Sequence, residues 1–268
     1  MNLITRTLTA VVLLGALFLI IQYAPAWVFF LAGLGFVVAA VLEFYALNEK
    51  HGLRPRKTLG TALAVLVLLT YYFRSIPIEA ALFAAILVSC VYYVVAINSA
   101  GKLASFPASF ATTLVGVLYV AFPLGFIFLI RQDQGPFYLY FLSAIVFIGD
   151  SGAFFIGKPF GRHKMTPIAS PNKSWEGSAG GFLFAVAGAI LARFLLFPGL
   201  SLVTAAVTAL VVHAAAQVSD PLESLFKRAV GVKDSSNRLP GHGGFLDRID
   251  SLILAGPLFY YIVKLLWK

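Results

Sequence analysis

The stretch that decides the fold runs from Ala26 to Leu47 and reads AWVFFLAGLGFVVAAVLEFYAL. It contains a single charged residue, Glu43, and no proline. An α-helix rises about 1.5 Å per residue, so a helix of this length spans the roughly 30 Å hydrocarbon core of a bilayer. The stretch therefore predicts a transmembrane helix.

Similar apolar runs cover most of the remaining chain. They extend over Leu8 to Tyr23, Leu59 to Phe73, Ile78 to Ile97, Ala111 to Ile130, Phe137 to Ile156, Ala179 to Phe197, Leu200 to Val218 and Ile249 to Trp267. With the first stretch they predict an all-α polytopic membrane protein of about nine transmembrane helices, forming one domain over residues 1–268. Of the 268 residues 60% are hydrophobic and 12% charged, which excludes soluble, disordered, collagen-like and disulfide-rich classes.

The basic residues predict the orientation of these helices. If the N-terminus is cytoplasmic, the cytoplasmic segments contain most of the 20 Lys and Arg residues. These are Arg6, Lys50, Arg54, Arg56, Lys57, Lys102, Lys158, Arg162, Lys164, Lys173, Lys227, Arg228, Lys233, Arg238 and Arg248. The positive-inside rule then predicts that the N-terminus is inside. We expect the protein in the plasma (inner) membrane, with its active site facing the cytoplasm. The first run, with Ala24-Pro25-Ala26, also resembles a cleavable signal peptide, and either outcome leaves the later topology unchanged.

Two polar cytoplasmic segments, 157–177 and 219–250, interrupt the apolar pattern and are the expected catalytic segments. The second contains 10 of the 31 charged residues of the chain. They are Asp220, Glu223, Lys227, Arg228, Lys233, Asp234, Arg238, Asp247, Arg248 and Asp250. A simple connection between two helices does not need so many charges of both signs, so we expect a site here.

The start of the second segment has two interpretations. If the eighth helix continues past Val218, Asp220, Glu223 and Lys227 share one face of it. They then form either surface ion pairs or, at Asp220, a ligand for a hard divalent cation. Pro221 instead suits the first turn of a new helix, which would make Asp220 its N-cap.

The end of that segment, residues 239–250, reads LPGHGGFLDRID. The glycines around His242 allow backbone amides to approach phosphate oxygens closely. Asp247 and Asp250 are three residues apart on the predicted last helix, so they either bind Mg²⁺ together or cap the N-terminus of that helix and complement its dipole. Asp150 lies inside an apolar run, where an acidic residue is a functional candidate by default.

The first polar segment includes SPNKSWEG at residues 170–177. Cations, glycines and small hydroxyl side chains in this combination are typical of sites for anionic ligands. Lys173 and Glu176 are expected to open the seventh helix, with Lys173 the strongest candidate for contact with phosphate. Membrane anchoring, with Trp175 at the interface, is the alternative.

These motifs together resemble the signature of the phosphatidate cytidylyltransferases, also called CDP-diacylglycerol synthases. The resemblance covers Ser224-x-Phe226-Lys227-Arg228, then Lys233-Asp234-Ser235-Ser236, then Leu239-Pro240-x-His242-Gly243-Gly244-x-x-Asp247-Arg248-Ile249-Asp250. Upstream, Ser170-Pro171-x-Lys173-Ser174-x-Glu176-Gly177 and Gly149-Asp150-Ser151 are also similar to the family. Ser219 and Asn172 differ from the residues usual at their positions.

The resemblance implies transfer of a cytidylyl group from CTP to phosphatidate in phospholipid synthesis, with Mg²⁺ as cofactor and the need for a second cation left open. It implies metal ligands at Asp220 and Asp247. Asp250 and Asp150 would be further ligands or would position the ligands through hydrogen bonds. It implies catalytic residues Asp220, Asp247, Lys227, Arg228, Lys233, His242 and Arg248. It implies substrate-binding residues Ser170, Lys173, Glu176, Ser224, Asp234, Asn237, Gly243 and Gly244. The expected partners are CTP, phosphatidate and the bilayer, without nucleic acid, and homodimerisation stays open.

The charges suit such a reaction. The phosphatidate monoester is mostly ionised at neutral pH because its second pKa is ~6, so its attack needs no strong base. Catalysis must instead overcome repulsion between two phosphorylated substrates, by positioning and electrostatic stabilisation.

Two other functions remain alternatives. One is a CTP-dependent polyprenol or phytol kinase, and the other is a transporter of an anionic solute with Asp150 and Arg193 on its pathway.

Overall fold

The computed structural model describes residues 15–239, 241 and 243–267. In chain order the helices are α1 (Ala26–Lys50), α2 (Lys57–Phe73), α3 (Ile78–Ala96), α4 (Ala100–Gln134), α5 (Pro136–Phe160), α6 (Trp175–Leu196), α7 (Leu202–Ala229) and α8 (Leu246–Leu266). Residues 15–23 are also helical. Seven of the described helices, all but α2 among those labelled, are long and apolar enough to cross a membrane. The all-α polytopic prediction is thus confirmed, whereas the count of nine and the cytoplasmic N-terminus stay predictions.

Two helices extend well beyond the predicted apolar runs. Helix α4 begins at Ala100 rather than Ala111 and includes π-helical turns. Helix α7 continues through Pro221 to Ala229, so the interpretation of Asp220 as the N-cap of a new helix is wrong. Proline removes one backbone hydrogen bond, but α7 remains continuous because the turns around Pro221 bury Ser219 and Glu223.

The expected loop 157–177 contains a small antiparallel hairpin. Strand β1 (Lys164–Thr166) pairs with β2 (Ser170–Ser174), with Lys164 opposite Ser174 and Thr166 opposite Ser170. Lys173 therefore lies on a strand and not, as its spacing from Glu176 predicts, in the first turn of a helix. Three- and five-residue polar strands lack the length for a recognisable alternating pattern.

The described residues form two compact units, of which the first comprises the described residues within 15–128 and 229–248. Its core depends on two tyrosines that donate to backbone carbonyls of α4. The Tyr45 hydroxyl lies 2.7 Å from the Thr113 oxygen, and the Tyr71 hydroxyl lies 2.8 Å from the Phe122 oxygen. These carbonyls border the π-helical turn Gly116–Ala121, where the usual pattern of helical hydrogen bonds is interrupted.

The second unit comprises residues 129–228 and 249–267. Its helices α5 and α6 approach closely because glycines line their contact. A Cβ at Gly157 would lie 3.2 Å from the Gly177 Cα, and a Cβ at Gly180 would lie 2.5 Å from Ile156. Small residues at helix contacts are typical of membrane proteins, where close packing replaces the hydrophobic effect. This packing fixes the hairpin between α5 and α6. The prediction of one domain over residues 1–268 stays a prediction.

Candidate active site

Three predicted metal ligands lie in one neighbourhood of the second unit. Asp150 is on α5, Asp220 on α7 and Asp250 on α8. The charge of Asp220 acts on both of the other carboxylates, and Asp150 and Asp250 also repel each other. Acidic groups gathered on membrane-spanning helices are costly unless cations offset them. The arrangement therefore favours a bound cation or a cationic partner.

Lys173 supplies one such partner. Its Nζ lies 2.8 Å from Asp220 Oδ2, and the two side chains are 28% and 31% exposed. The Ser224 hydroxyl lies 3.4 Å from the other oxygen, Oδ1, of Asp220. The Asp220 carboxylate is thus held in place while part of it stays accessible to a ligand.

Two serines contact these aspartates within the same unit, and one of them, Ser251, connects Asp150 with Asp250. The Ser251 amide donates to Asp250 Oδ1 at 2.7 Å, and its hydroxyl lies 3.3 Å from Asp150 Oδ2. The Ser219 hydroxyl donates to the Asp250 backbone carbonyl. The unusual residue at position 219 therefore links α7 to α8 behind the acidic cluster, a role that the sequence does not reveal.

Further cations lie along α7. Lys227 forms an ion pair with Glu223 one turn earlier, and both side chains are buried. The charge of Lys227 also acts on Asp250. Arg228 is exposed, and its Nε lies 3.3 Å from the Ala169 carbonyl in the hairpin. The predicted shared face of α7 thus brings both carboxylates and cations to the cluster.

The hairpin is fixed at its junction with α6. Ser174 caps this helix by accepting a hydrogen bond from the Gly177 amide at 3.1 Å. The Glu176 carboxylate accepts from the amides of Arg162 and His163, and it lies 2.5 Å from His163 Nδ1. Glu176 therefore orients the hairpin, and its role in substrate binding stays a prediction. Ser170 opens β2 and is half-buried.

A second group of residues surrounds Glu43 in the first unit. This side chain is 2% exposed. Its Oε2 accepts from the Ser235 hydroxyl at 2.9 Å and from the Leu246 amide at 3.0 Å, and its Oε1 accepts from the Ser236 hydroxyl at 2.6 Å. One intramembrane carboxylate therefore holds both the Lys233-Asp234-Ser235-Ser236 motif and the beginning of α8.

Asp247 completes this group. It accepts hydrogen bonds from the Ser235 amide at 2.9 Å and from the Gly244 amide at 2.7 Å. A Cβ on Gly243 would lie 2.6 Å from Asp247 Oδ2, and Gly243 has a φ of +78°, so only glycine fits without strain. Capping, one of the two roles considered for Asp247, is present. A carboxylate has further lone pairs for a metal ion, so metal binding stays a prediction.

The remaining predicted residues of the signature are mostly on the surface. Exposed side chains are those of Lys233, Asp234, Asn237 and Arg248. Their accessibility is compatible with contact to a soluble substrate. His242 lies outside the described residues.

The second unit contains a buried polar network whose residues are not among the predicted site residues. Gln217 donates from Nε2 to the Ser178 carbonyl at 3.1 Å and lies 2.9 Å from His213 Nε2. Cβ atoms on Gly149 or Gly181 would collide with the His213 ring. The available signal was the presence of polar residues inside apolar runs, which in a bilayer need internal partners.

Comparison with known proteins assigns the family. The model of the cytidylyltransferase family matches residues 4–266, nearly the whole chain. The chain belongs to the cytidylyltransferase family.

Individual relatives of this family agree with that assignment. Proteins named phosphatidate cytidylyltransferase are similar over part of the chain, with 45% identity over 134 residues in Haemophilus influenzae and 42% over 149 residues in Brucella suis biovar 1. The one from Bacillus subtilis is 35% identical over 153 residues. These matches cover 48%, 54% and 56% of this chain and 46%, 54% and 57% of the relatives. The chain therefore spans about half the length of the curated relatives that it matches.

The acidic residues of this cytidylyltransferase family member fit Mg²⁺. Among residues 15–239, 241 and 243–267, no group of three or more His, Cys, Asp and Glu side chains is arranged to hold a metal ion by itself. Mg²⁺ does not require such a cage, because it usually binds one or two carboxylates, several waters and the phosphates of its substrate. Asp220, with Asp150 or Asp250 nearby, has carboxylate oxygens of the kind that this coordination uses, and Mg²⁺ binding itself stays a prediction.

Proposed function

We propose that this protein catalyses Mg²⁺-dependent transfer of the cytidylyl group of CTP to phosphatidate, giving CDP-diacylglycerol and pyrophosphate. The observation that carries the proposal is the acidic cluster of Asp150, Asp220 and Asp250, with Lys173 bound to Asp220. The relatives named phosphatidate cytidylyltransferase supply the reaction and its substrates. We place the protein in the plasma (inner) membrane, with this cluster facing the cytoplasm, where CTP is available.

The reaction exchanges one phosphoanhydride bond for another. An oxygen of the phosphatidate phosphate attacks the α-phosphorus of CTP and forms a new P–O bond. The bond from the α-phosphorus to the oxygen that bridges it to the β-phosphorus breaks, and that oxygen leaves with pyrophosphate. Because the attacking oxygen is already mostly ionised, no side chain has to remove a proton from it.

The side chains of the second unit would position and neutralise the phosphates. Lys173, Lys227 and Arg228 offset negative charge on CTP and phosphatidate, in the way that cationic side chains do in other phosphoryl transfers. Asp220, with Asp150 or Asp250, would hold the Mg²⁺. When bound, this ion would supply positive charge at the phosphate oxygens. Asp247 stays a further predicted ligand on the basis of the signature alone.

An apolar cavity next to Asp220 supports a lipid substrate. It has a volume of about 410 Å³ and lies between the hairpin and α7. Its lining includes Ile168 and Leu225, which are exposed, and Pro221, the neighbour of Asp220. An apolar cavity beside a cluster of acidic and basic side chains fits a lipid substrate, whose acyl chains would lie in the cavity and whose phosphate would lie at the cluster. We infer that phosphatidate enters from the bilayer and that CTP enters from water.

Position-specific labelling tests this proposal. The purified protein in detergent receives phosphatidate, Mg²⁺ and CTP that is labelled in either its α- or its γ-phosphate. We expect the α-label in the lipid fraction and the γ-label in pyrophosphate. Transfer of the γ-label to lipid would identify a kinase, and absence of lipid labelling with both nucleotides would contradict the proposal.

Lys57→Ala provides the matched control for loss of a basic side chain. Lys57 Nζ lies 2.5 Å from Glu49 Oε2. Neither residue is among those proposed to contact a substrate. We expect turnover within about twofold of the unmodified protein, because an exposed ion pair contributes only about 0.2–1 kcal/mol.

A further inference from the structure

A second cavity, in the first unit, has a different chemistry from the acidic cluster. Its volume is about 250 Å³, and its polar lining consists of Arg54, Arg56, Tyr93, Lys102, Ser105 and Ser109. These residues come from the connection between α1 and α2, the end of α3 and the beginning of α4. None of them belongs to the set of predicted catalytic, substrate-binding or metal-binding residues.

The cavity contains three cations and no acidic side chain. Arg54 forms no ion pair within the part of the chain that the structure describes. The Arg56 guanidinium lies 5.7 Å from the centre of the Tyr92 ring, and Lys102 Nζ lies 2.7 Å from Asn98 Oδ1. These partners are neutral, so the positive charge of the cavity is not offset.

Hydrogen bonds connect two lining residues of the cavity, Arg56 and Tyr93, to Thr113 of α4. The Thr113 hydroxyl accepts from the Arg56 amide at 2.9 Å and lies 3.0 Å from the Tyr93 hydroxyl, so Arg56 is anchored to α4. Ser109 is buried, and its hydroxyl forms no hydrogen bond with any described residue. Guanidinium, ammonium and hydroxyl groups together suit a ligand with several anionic acceptor oxygens, above all a phosphate.

Exposed apolar side chains lie close in sequence to the residues of this cationic cavity. Val94 and Val95, near the end of α3, are 80% and 77% exposed, and Leu103, near the start of α4, is 60% exposed. Apolar side chains with this exposure on membrane-spanning helices face lipid rather than water. A phosphate that reaches the cavity along these side chains would be attached to acyl chains. We propose that this cavity, which shares no residue with the acidic cluster, binds the phosphate headgroup of an anionic phospholipid.

Lipid titration followed by native mass spectrometry tests the proposal on the full chain. Delipidated protein in detergent is titrated with phosphatidylglycerol, which is anionic and not the proposed substrate, and separately with zwitterionic phosphatidylcholine. We expect one phosphatidylglycerol to bind preferentially. A basic residue close to the headgroup of a bound anionic lipid contributes about fivefold to the affinity for that lipid. The double variant Arg54→Gln/Arg56→Gln should therefore weaken binding at least about tenfold.

Two further variants separate the cavity from general surface charge. Ser109→Ala changes no charge but removes an inward donor, and we expect it to weaken phosphatidylglycerol binding several-fold. Lys50→Gln removes a cation from the end of α1, outside the cavity, and should change the affinity by less than about twofold. Thermal unfolding in the same detergent checks that each variant is folded.

Three results would overturn the proposal. The first is equal affinity for the two lipids, and the second is a loss in Lys50→Gln as large as in the double variant. The third is displacement of phosphatidylglycerol by glycerol phosphate at equal concentration, which would show that a soluble phosphate alone is the ligand. The proposal does not depend on cytidylyl transfer, so loss of the proposed enzymatic function would leave it standing.

Discussion

Lys173 Nζ on the hairpin lies 2.8 Å from Asp220 Oδ2 on helix α7. This ion pair joins two segments that are far apart in sequence, and it places a cation beside three mutually repelling carboxylates. The hairpin therefore does more than connect α5 and α6, because it delivers positive charge to the acidic cluster.

Lys173→Gln should lower kcat/KM for CTP by about 10- to 100-fold, since a hydrogen bond to a charged group contributes about 1.5–3 kcal/mol. Steady-state kinetics with phosphatidate and Mg²⁺ measures this loss. Lys164→Gln is the matched control because Lys164 is an exposed lysine of the same hairpin. Equal losses in the two variants would show that hairpin charge in general, and not the pair with Asp220, is responsible.

Asp220→Asn should raise the Mg²⁺ concentration that gives half-maximal activity by at least about tenfold, because loss of a ligand charge weakens the binding of a hard cation. Initial rates over a Mg²⁺ titration measure this shift. Glu79→Gln, the corresponding change at an exposed acidic residue of α3, should leave the titration unchanged. An active Asp220→Asn variant with the original Mg²⁺ dependence would refute the assignment of Asp220 to the metal site.

Glu43→Ala should destabilise the protein by about 2 kcal/mol or more, because it leaves the buried Leu246 amide without an acceptor and removes an acceptor of the Ser235 and Ser236 hydroxyls. Glu43→Gln retains one acceptor oxygen and should be less destabilising. Thermal unfolding in one detergent gives the order of the two variants, and hydrogen exchange should report increased opening of residues 235–246 in the alanine variant. Equal stability of the alanine variant and the unmodified protein would show that Glu43 does not hold this segment.

The sequence predicted the all-α class and the positions of the seven long apolar helices because apolar length is a local property. The run from Ala26 to Leu47 appears as α1, Ala26–Lys50, with only its end extended. The same reasoning made Asp150 a functional candidate, since an acidic residue inside such a run requires a partner. The Ser251 hydroxyl beside Asp150 is such a partner.

Contacts between distant segments could not be predicted in this way. Glu43 is 192 residues from Ser235, and no periodic pattern relates the two. At Pro221 the local preference for a new helix was overridden by the burial of neighbouring side chains in a continuous α7. The hairpin was missed because its strands are short and polar.

Asp247 offers a way to separate a capping role from a metal-binding role. In Asp247→Asn the side-chain oxygen can still accept from the Ser235 and Gly244 amides, so we expect a loss of stability below about 1 kcal/mol. Asp247→Ala removes the acceptor and should cost about 1–3 kcal/mol. Thermal unfolding in detergent compares the two variants, and CDP-diacylglycerol formation is measured on the same preparations.

The two roles predict opposite activities for the asparagine variant. If Asp247 binds Mg²⁺, as we propose, Asp247→Asn loses the ligand charge and should be nearly inactive although it is almost as stable as the unmodified protein. If capping is its only role, activity should follow stability, so that Asp247→Asn stays active and only Asp247→Ala fails. An active asparagine variant would therefore remove Asp247 from the metal site while leaving its hydrogen bonds to Ser235 and Gly244 as the reason for an acidic residue at this position.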